Sequence, residues 1–344
     1  MLMATTPAGN PRIHLMEKAM AGHAFRIEDG GIWAAIHTPF RPDGGLDIEG
    51  IRKNVRIYAQ ALGLKGVFFC GLMGEFWSLT MDERKLFVET IASAAKGDLG
   101  LAPNCTHHSP TETIDLVRHA AASGCHYATL MNPPVGPRTD EALIDYFETV
   151  CSASEIEIIL FNTPASGYVL KPALLARLCE LPNVRGIKAA GTDRDRDEVR
   201  SACGAKVVVS DPMEKHWLEN LTLHRQTLLF ADPEPYLYQW AGHRPIADYF
   251  AKFQRGDLEG CRAGFENLSP LRPIYDRWIM EPMRASGRPP NAALKVWADH
   301  MGLAAGPTRK PVRALTAQER EALLADLKNA KLARAPLSTE PILS

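Results

Sequence analysis

Short apolar runs alternate with longer amphipathic stretches along most of the chain, beginning at residue 31. Eight apolar runs are predicted as strands, at Gly31–Thr38, Gly66–Cys70, Leu99–Asn104, His126–Met131, Ile156–Phe161, Val184–Ala189, Lys206–Ser210 and Thr227–Ala231. The stretches between them have helical periodicity, as in Ile48–Leu62, Met81–Lys96, Thr111–Ser123, Asp140–Ser152 and Pro172–Glu180. Helix starts are marked by Asp47, by Thr80 with Glu83, and by Ser109. Strands that alternate with helices in this way are typical of βαβ units and a parallel sheet.

Eight such units within roughly 220 residues predict an α/β fold of the (β/α)8 TIM barrel type. An open doubly wound sheet would normally carry a Gly-x-Gly-x-x-Gly turn after its first strand, whereas this strand ends in His-Thr-Pro-Phe. After about residue 255 the pattern is helical only, over Asp257–Leu268, Leu271–Ala285, Asn291–Met301 and Ala317–Leu327. We therefore expect an N-terminal arm (1–30), a barrel catalytic domain (31–254) and a C-terminal helical extension (255–344).

Composition narrows the class of protein. The 344 residues are 46% hydrophobic and carry a formal net charge of -1, which argues against a nucleic-acid or membrane-surface partner. No apolar run approaches the roughly 18 residues of a membrane helix, and the first 30 residues do not resemble a secretory signal. The seven cysteines are scattered singly, which favours neither a zinc site nor a disulfide framework. We predict a cytoplasmic protein without a metal or cofactor.

A lysine at the end of the sixth predicted strand is the first candidate for chemistry. Lys188 closes the segment Asn183-Val184-Arg185-Gly186-Ile187-Lys188, and small residues follow it. Lysines are rarely buried, and desolvation at the end of an apolar strand makes the neutral amine of such a lysine available as a nucleophile. The alternative is a lysine that caps the strand edge. Residues at the carboxyl ends of barrel strands form the active site, but position alone leaves these two interpretations equally open.

Two further strand ends carry candidate binding residues. The second strand runs into Gly71-Leu72-Met73-Gly74, a turn whose backbone N–H groups could hold a carboxylate. Glu75 follows this turn, and a structural role is the favoured interpretation for it. The fifth strand ends at Phe161, which neighbouring strands should place opposite Lys188 inside the barrel.

The chain resembles the dihydrodipicolinate synthase / N-acetylneuraminate lyase family of Schiff-base-forming class I aldolases, from about residue 31 to residue 327. The motifs that carry the resemblance are Thr38-Pro39-Phe40, Gly71-x-x-Gly74-Glu75, Leu79-Thr80-x-x-Glu83-Arg84, Asn162-x-Pro164, Gly186-Ile187-Lys188, Pro290-Asn291-Ala292-Ala293-Leu294-Lys295 and Met301-Gly302-Leu303. The resemblance implies that Lys188 forms the Schiff base with pyruvate or a related 2-oxo acid. It also implies that the Gly71–Gly74 turn holds the substrate carboxylate, and that the protein is a homo-oligomer, a dimer or a tetramer.

The chain also departs from the family pattern. Phe161 stands where the family usually places a tyrosine that shuttles protons, and Leu72 and Met73 replace hydroxyl residues of the turn. The stretch Asn132-Pro133-Pro134-Val135-Gly136 lacks a second tyrosine, and Ala165-Ser166-Gly167 replaces an arginine of the synthases. A synthase role in lysine biosynthesis is therefore not expected.

Either another group supplies the acid–base catalysis that a phenylalanine cannot provide, or the chain has lost the usual chemistry. The candidates at strand ends are His37, His107, His108, Asp211 and Asp232. His107 and His108 suit the role because histidine titrates near neutral pH, although a pair of surface histidines is an equal alternative. The predicted substrate-binding residues are Gly71, Leu72, Met73, Gly74, Phe161, His107, His108 and Asp211, with Lys188 catalytic.

Two alternatives to an aldolase-type lyase stay open at this point. One is a dehydratase or hydratase-aldolase that uses the same iminium, with His107 or His108 as the base. The other is a non-catalytic member of the family that binds a 2-oxo acid.

Overall fold

The computed structural model describes residues 25–136 and 138–332. Eight strands alternate with helices over the first part of this range. The strands are β1 (Gly31–Ala35), β2 (Gly66–Phe69), β3 (Gly100–Pro103), β4 (Tyr127–Leu130), β5 (Glu157–Asn162), β6 (Val184–Ala189), β7 (Val208–Ser210) and β8 (Leu228–Ala231). Each lies within or next to a predicted strand, with trimmed or shifted ends.

The strands form one closed parallel barrel. Two four-stranded sheets, in the orders β3-β2-β1-β8 and β4-β5-β6-β7, meet along two seams. At the β3–β4 seam the Cys105 N–H donates to the Thr129 carbonyl oxygen over 2.9 Å. At the β7–β8 seam the Ser210 hydroxyl donates to the Leu228 carbonyl oxygen and accepts from the Phe230 N–H, both over 3.1 Å. The predicted (β/α)8 TIM barrel is therefore confirmed.

Helices surround the barrel and connect its strands. They are α1 (Ile48–Gln60), α2 (Met81–Ala95), α3 (Pro110–Ala122), α4 (Asp140–Cys151), α5 (Pro172–Leu178), α6 (Asp193–Cys203), α7 (Trp217–Leu223), α8 (Glu234–Leu237) and α9 (Pro245–Gln254). The predicted starts are confirmed, since Asp47 and Ser109 cap α1 and α3, and Thr80 forms a capping box with Glu83 on α2.

Beyond the barrel the described chain is helical. The helices are α10 (Leu258–Glu266), α11 (Arg272–Tyr275), α12 (Glu281–Ser286), α13 (Asn291–His300) and α14 (Ala317–Asn329). A single helix was expected over Leu271–Ala285, but a π-helical segment, Asp276–Met280, joins α11 to α12. Pro282 lies in the first turn of α12 and has no N–H to donate, so a regular α-helical ladder cannot run through this point.

The first described residues pack against the amino-terminal ends of the barrel strands. Ile27 is buried, and its N–H donates to the Tyr127 hydroxyl over 3.1 Å. Most of the predicted N-terminal arm, residues 1–24, lies outside the described residues, as do 333–344 of the predicted extension. Within the described part of the chain, no helix combines the length and the apolar character needed to cross a membrane.

The barrel interior is aromatic from its lower half to its upper rim. Trp33 stacks on Phe230, with ring centroids 5.6 Å apart. Phe68 then contacts Phe230 at 5.6 Å and Phe161 at 5.7 Å. Of these rings, Phe68 and Phe161 belong to the floor of the cavity that contains Lys188.

Candidate active site

A cavity of about 1140 Å³ opens at the carboxyl ends of the strands. Its floor includes Phe68, Phe161, Lys188 and Asp232, and its wall includes the Leu72–Met73 part of the predicted turn. Met280 and Met283, from the helical segment that follows the barrel, contribute to the opposite wall. The cavity therefore lies where (β/α)8 enzymes place their active sites.

Lys188 reaches this floor from strand β6 and is only 1% exposed. Its ammonium nitrogen, Nζ, donates to the Asp232 carboxylate oxygen Oδ1 over 2.9 Å and to the Ala231 carbonyl oxygen over 3.2 Å. The rings of Phe161, Phe68 and Phe230 have their centroids 4.8, 5.0 and 5.6 Å from Nζ. A buried cation is thus held by one carboxylate and three aromatic faces.

The predicted opposition of Phe161 and Lys188 is confirmed by the strand register. The two residues are direct partners in the β5–β6 pairing. Phe161 has no hydroxyl group, so its part of the cavity floor is apolar. Its ring keeps water away from one side of the Lys188 amine.

Asp232 is the acidic group that faces Lys188. It follows β8 directly, and its side chain is 16% exposed to the cavity. Sequence reasoning named it only among several strand-end candidates, because nothing in the local sequence indicates that a residue 44 positions away lies beside Lys188. Barrel closure brings β6, β7 and β8 around one floor and creates this pair.

The Gly71–Gly74 turn contributes Leu72 and Met73 to the cavity lining. Among the hydrogen bonds of the described residues, neither the Leu72 N–H nor the Met73 N–H has a protein acceptor. Gly71 is required for the close approach to Phe68, since a Cβ there would lie 2.6 Å from the Phe68 ring. The turn therefore has the donors and the shape that a carboxylate site needs.

The turn is held from outside the cavity. The Thr38 hydroxyl donates to the Gly74 carbonyl oxygen over 2.7 Å, and the Asn291 side-chain amide donates to the Met73 carbonyl oxygen over 3.0 Å. Asn291 begins α13, so the C-terminal helices directly support the turn.

Glu75 also links the Gly71–Gly74 turn to the C-terminal part of the chain. Its backbone is left-handed (φ 54°), its Oε1 lies 2.7 Å from the Lys295 Nζ, and its Oε2 accepts from the Arg309 N–H over 3.2 Å. Burial lowers the pKa of Lys295 to about 8, against the opposing effect of Glu75. Neither Glu75 nor Lys295 lines the cavity. The structural role favoured for Glu75 agrees with this position.

The two predicted histidines line the cavity side by side. The rings of His107 and His108 have centroids 5.8 Å apart. The His107 Nδ1 accepts the Ser109 N–H over 3.1 Å, and burial lowers the His107 pKa. Neither ring contacts Lys188 among the described hydrogen bonds, so the structure does not pair them with the amine.

His37 and Asp211 occupy different environments. His37 is buried away from the cavity, where its Nε2 meets the Ala304 carbonyl oxygen at 2.8 Å and burial lowers its pKa to about 4. Asp211 lines the cavity and is held by neighbouring groups. Its Oδ2 lies 2.9 Å from the His216 Nδ1 and 2.8 Å from the Arg196 Nε, and its Oδ1 accepts the Met213 N–H. Asp211 therefore supports the wall, and its expected role in binding substrate stays a prediction.

Comparison with known proteins decides the family. Residues 28–225 match the model of the dihydrodipicolinate synthetase family, which is more than half of the chain. The chain belongs to the dihydrodipicolinate synthetase family. It is accordingly an enzyme of lyase type, and the resemblance stated from its motifs is confirmed.

Individual members of the family align with different parts of the chain. A 4-hydroxy-tetrahydrodipicolinate synthase of Methanothrix thermoacetophila is 36% identical over 161 residues, covering 46% of this chain and 54% of that protein. One of Moorella thermoacetica is 28% identical over 307 residues, covering 88% and 99%. Among solved structures, the family member YagE of E. coli K12, in complex with pyruvate, superposes with a TM-score of 0.74 at 21% identity, covering 88% and 99%. That similarity shows the shared fold.

Proposed function

We propose that this member of the dihydrodipicolinate synthetase family is a Schiff-base-forming lyase of aldolase type that acts on pyruvate or a related 2-oxo acid. The observation that carries the proposal is the Lys188–Asp232 pair, with its 2.9 Å contact, at the floor of a cavity. A buried amine beside a proton acceptor is the arrangement that an iminium-forming lysine needs. The complex of YagE with pyruvate supports the choice of substrate.

The carboxylate of the 2-oxo acid would bind the Gly71–Gly74 turn. The free N–H groups of Leu72 and Met73 supply two donors, and such donors do not depend on the hydroxyl side chains that this turn lacks. The carbonyl carbon would then lie toward Lys188, against the ring of Phe161.

Asp232 takes the acid–base role in iminium formation. It accepts a proton from the Lys188 ammonium, the neutral amine attacks the carbonyl carbon, and a proton passes from the nitrogen to the new alkoxide oxygen to give a carbinolamine. Asp232 returns the proton to the carbinolamine hydroxyl, which leaves as water while the nitrogen lone pair forms the C=N bond. Atoms and charge balance, and one carboxylate serves both directions.

The same group can continue the reaction. The iminium acidifies the adjacent methyl group, Asp232 removes a proton to give the enamine, and the enamine carbon attacks the carbonyl carbon of an aldehyde. Asp232 then protonates the new alkoxide, and hydrolysis of the iminium releases the product and Lys188. Cleavage of a 4-hydroxy-2-oxo acid follows the reverse order. General acid–base help of this kind contributes roughly 10²- to 10⁴-fold in rate.

Reductive trapping tests the iminium. The protein is incubated with pyruvate and borohydride, and its intact mass and peptides are measured. We expect one reduced adduct, mapped to Lys188, and none in the Lys188→Arg variant, which keeps a cation beside Asp232 but forms no Schiff base. An unmodified Lys188 after prolonged incubation would contradict the proposal and would favour a protein that binds the 2-oxo acid without reacting.

A further inference from the structure

The cavity above Lys188 is much larger than a three-carbon 2-oxo acid needs. Its volume of about 1140 Å³ exceeds the roughly 300–1,000 Å³ that is common for small-molecule sites. The floor and the Gly71–Gly74 turn account for the 2-oxo acid under the proposed function. The remaining space, toward the mouth, must serve the second substrate, so its lining describes that molecule.

Methionine is the most frequent residue in the lining of the whole cavity, in which Met73 belongs to the Gly71–Gly74 turn. Six methionines face the cavity, namely Met73, Met81, Met131, Met213, Met280 and Met283. Phe76 and Trp77 join them, and Trp77 is 41% exposed at the mouth. Methionine side chains are apolar and adaptable, and their sulfur atoms make favourable contacts with aromatic rings. The lining therefore suits a planar, apolar group.

Most cations of the cavity lining already lie beside a carboxylate. Arg196 is bound to Asp211, and Lys215 and Arg284 lie 3.2 and 3.6 Å from carboxylate oxygens of Asp276. Arg84 instead donates to the carbonyl oxygens of Asn104 and Thr106. A phosphate or carboxylate tail on the second substrate would therefore compete with a carboxylate at three of these four cations.

The hydroxyl and amide side chains of the lining are engaged as well. The Ser166 hydroxyl donates to the Asn132 Oδ1 over 3.0 Å, and the Asn132 amide donates to the Tyr168 carbonyl oxygen. Thr163 and Thr192 accept backbone N–H groups at turns and helix starts. Apart from His107, His108 and the O–H groups of the threonines, few partners are left for a polyhydroxylated molecule, whose hydroxyl groups would lose hydrogen bonds to water on entering.

We infer that the second substrate is an aromatic aldehyde. Carbon–carbon bond formation between its carbonyl carbon and the methyl carbon of pyruvate gives a 4-aryl-4-hydroxy-2-oxobutanoate, with no oxidant or reductant required. The inference rests on the proposed iminium chemistry at Lys188. The aromatic ring occupies the methionine-lined part of the cavity, with the aldehyde group directed to the floor.

The test compares aldehydes in the presence of saturating pyruvate. Benzaldehyde, hexanal and glyceraldehyde are supplied to the full-length protein, and aldol products are quantified by mass spectrometry. We expect kcat/KM for benzaldehyde to exceed that for glyceraldehyde roughly 100-fold, as burial of a phenyl-sized apolar surface implies, and to exceed that for hexanal. Equal or better use of hexanal or glyceraldehyde would overturn the inference.

Borohydride trapping of pyruvate, run in parallel, separates the two proposals. A trapped adduct without turnover of any of the three aldehydes would overturn the aldehyde assignment alone. Absence of the adduct would overturn the iminium, and the aldehyde assignment with it.

Variants of the lining give a second readout. Met131→Gln and Met283→Gln keep side-chain size but place an amide against the ring, and each should lower kcat/KM for benzaldehyde roughly tenfold. Leu258→Gln, at an exposed position outside the cavity, is the matched control and should leave it unchanged. Unchanged use of benzaldehyde by both methionine variants would contradict the placement of the ring.

Discussion

Lys188 and Lys295 are both buried lysines, and each forms an ion pair with a carboxylate. Lys188 lies 2.9 Å from Asp232 and Lys295 lies 2.7 Å from Glu75. Each ammonium group also lies near aromatic rings, since the Lys295 Nζ is 4.1 Å from the centroid of Phe40. By burial, charge and local chemistry the two pairs are closely similar.

The pairs differ in what their other sides contact. Lys188 and Asp232 both belong to the cavity lining, and the Asp232 side chain is 16% exposed, so a small molecule in the cavity lies against this pair. Lys295 also donates to the Pro307 carbonyl oxygen over 2.7 Å, and Glu75 also accepts the Arg309 N–H. Burial alone therefore does not distinguish a nucleophile from a structural ion pair. The two kinds of lysine are distinguished by their position relative to a cavity that has free hydrogen-bond donors.

Replacing each lysine by arginine should separate chemistry from structure. Lys188→Arg should lower turnover roughly 10⁴-fold or more, because the nucleophile is lost. Lys295→Arg keeps the charge beside Glu75 and should retain most of the activity. Steady-state kinetics with pyruvate and an aldehyde measures both, and comparable losses in the two variants would remove the distinction between the pairs.

Replacing the two carboxylates should likewise lower kcat more at Asp232 than at Glu75. Asp232→Asn should lower kcat roughly 10²- to 10⁴-fold, since the proton acceptor beside Lys188 is gone. Glu75→Gln weakens the support of the carboxylate turn and should act mainly on KM for the 2-oxo acid. If kcat falls equally in both variants, Asp232 is not the acid–base group.

For stability we expect the larger loss at the Lys295–Glu75 pair and the smaller loss at the Lys188–Asp232 pair. Lys295→Met leaves the Glu75 charge buried without its partner and should cost about 3–5 kcal/mol of unfolding free energy. Lys188→Met leaves Asp232 in contact with the cavity, where water can solvate it, and should cost less. Denaturant unfolding of the two variants checks this order, and a larger loss for Lys188→Met would contradict it.

The smallest expected effect is a pH dependence that originates at Lys295. Burial lowers the Lys295 pKa to about 8 in the folded protein, against an ordinary lysine value of 10.5. Between these values the unfolded chain holds a proton that the folded protein has lost, so this group makes unfolding less favourable as pH rises from 8 to 10.5. The contribution is at most about 1.4 kcal/mol per pH unit. Unfolding of the wild type and of Lys295→Met at several pH values measures it, and parallel curves would contradict it.

The sequence is sufficient to predict the barrel and the central residues of its floor. Alternating strand and helix patterns locate all eight strands, and neighbouring strands place Phe161 opposite Lys188. The motifs also lead to the carboxylate turn. These features depend on local periodicity and on contacts between consecutive strands, which a single sequence reveals.

Contacts across the barrel are not predictable in this way. Asp232 meets Lys188 only because β8 returns beside β1 and β7, and Asp211 turns its carboxylate to His216 and Arg196 because of the fold of the β7–α7 loop. His37 faces Ala304, 267 residues away, so its place outside the cavity has no local signature. Met280 and Met283 reach the cavity wall from the helical segment with the π-helical turn before Pro282, and periodicity does not predict that turn.

Exchange of the methyl protons of pyruvate in heavy water tests the central claim most directly. The exchange requires the iminium at Lys188 and a base that removes the methyl proton, and proton NMR follows it without any aldehyde. The account predicts rapid exchange with the wild type and at least roughly 100-fold slower exchange with Asp232→Asn, while borohydride still traps pyruvate on Lys188 in that variant. Exchange at the wild-type rate in Asp232→Asn would show that another group moves the proton and would contradict the account.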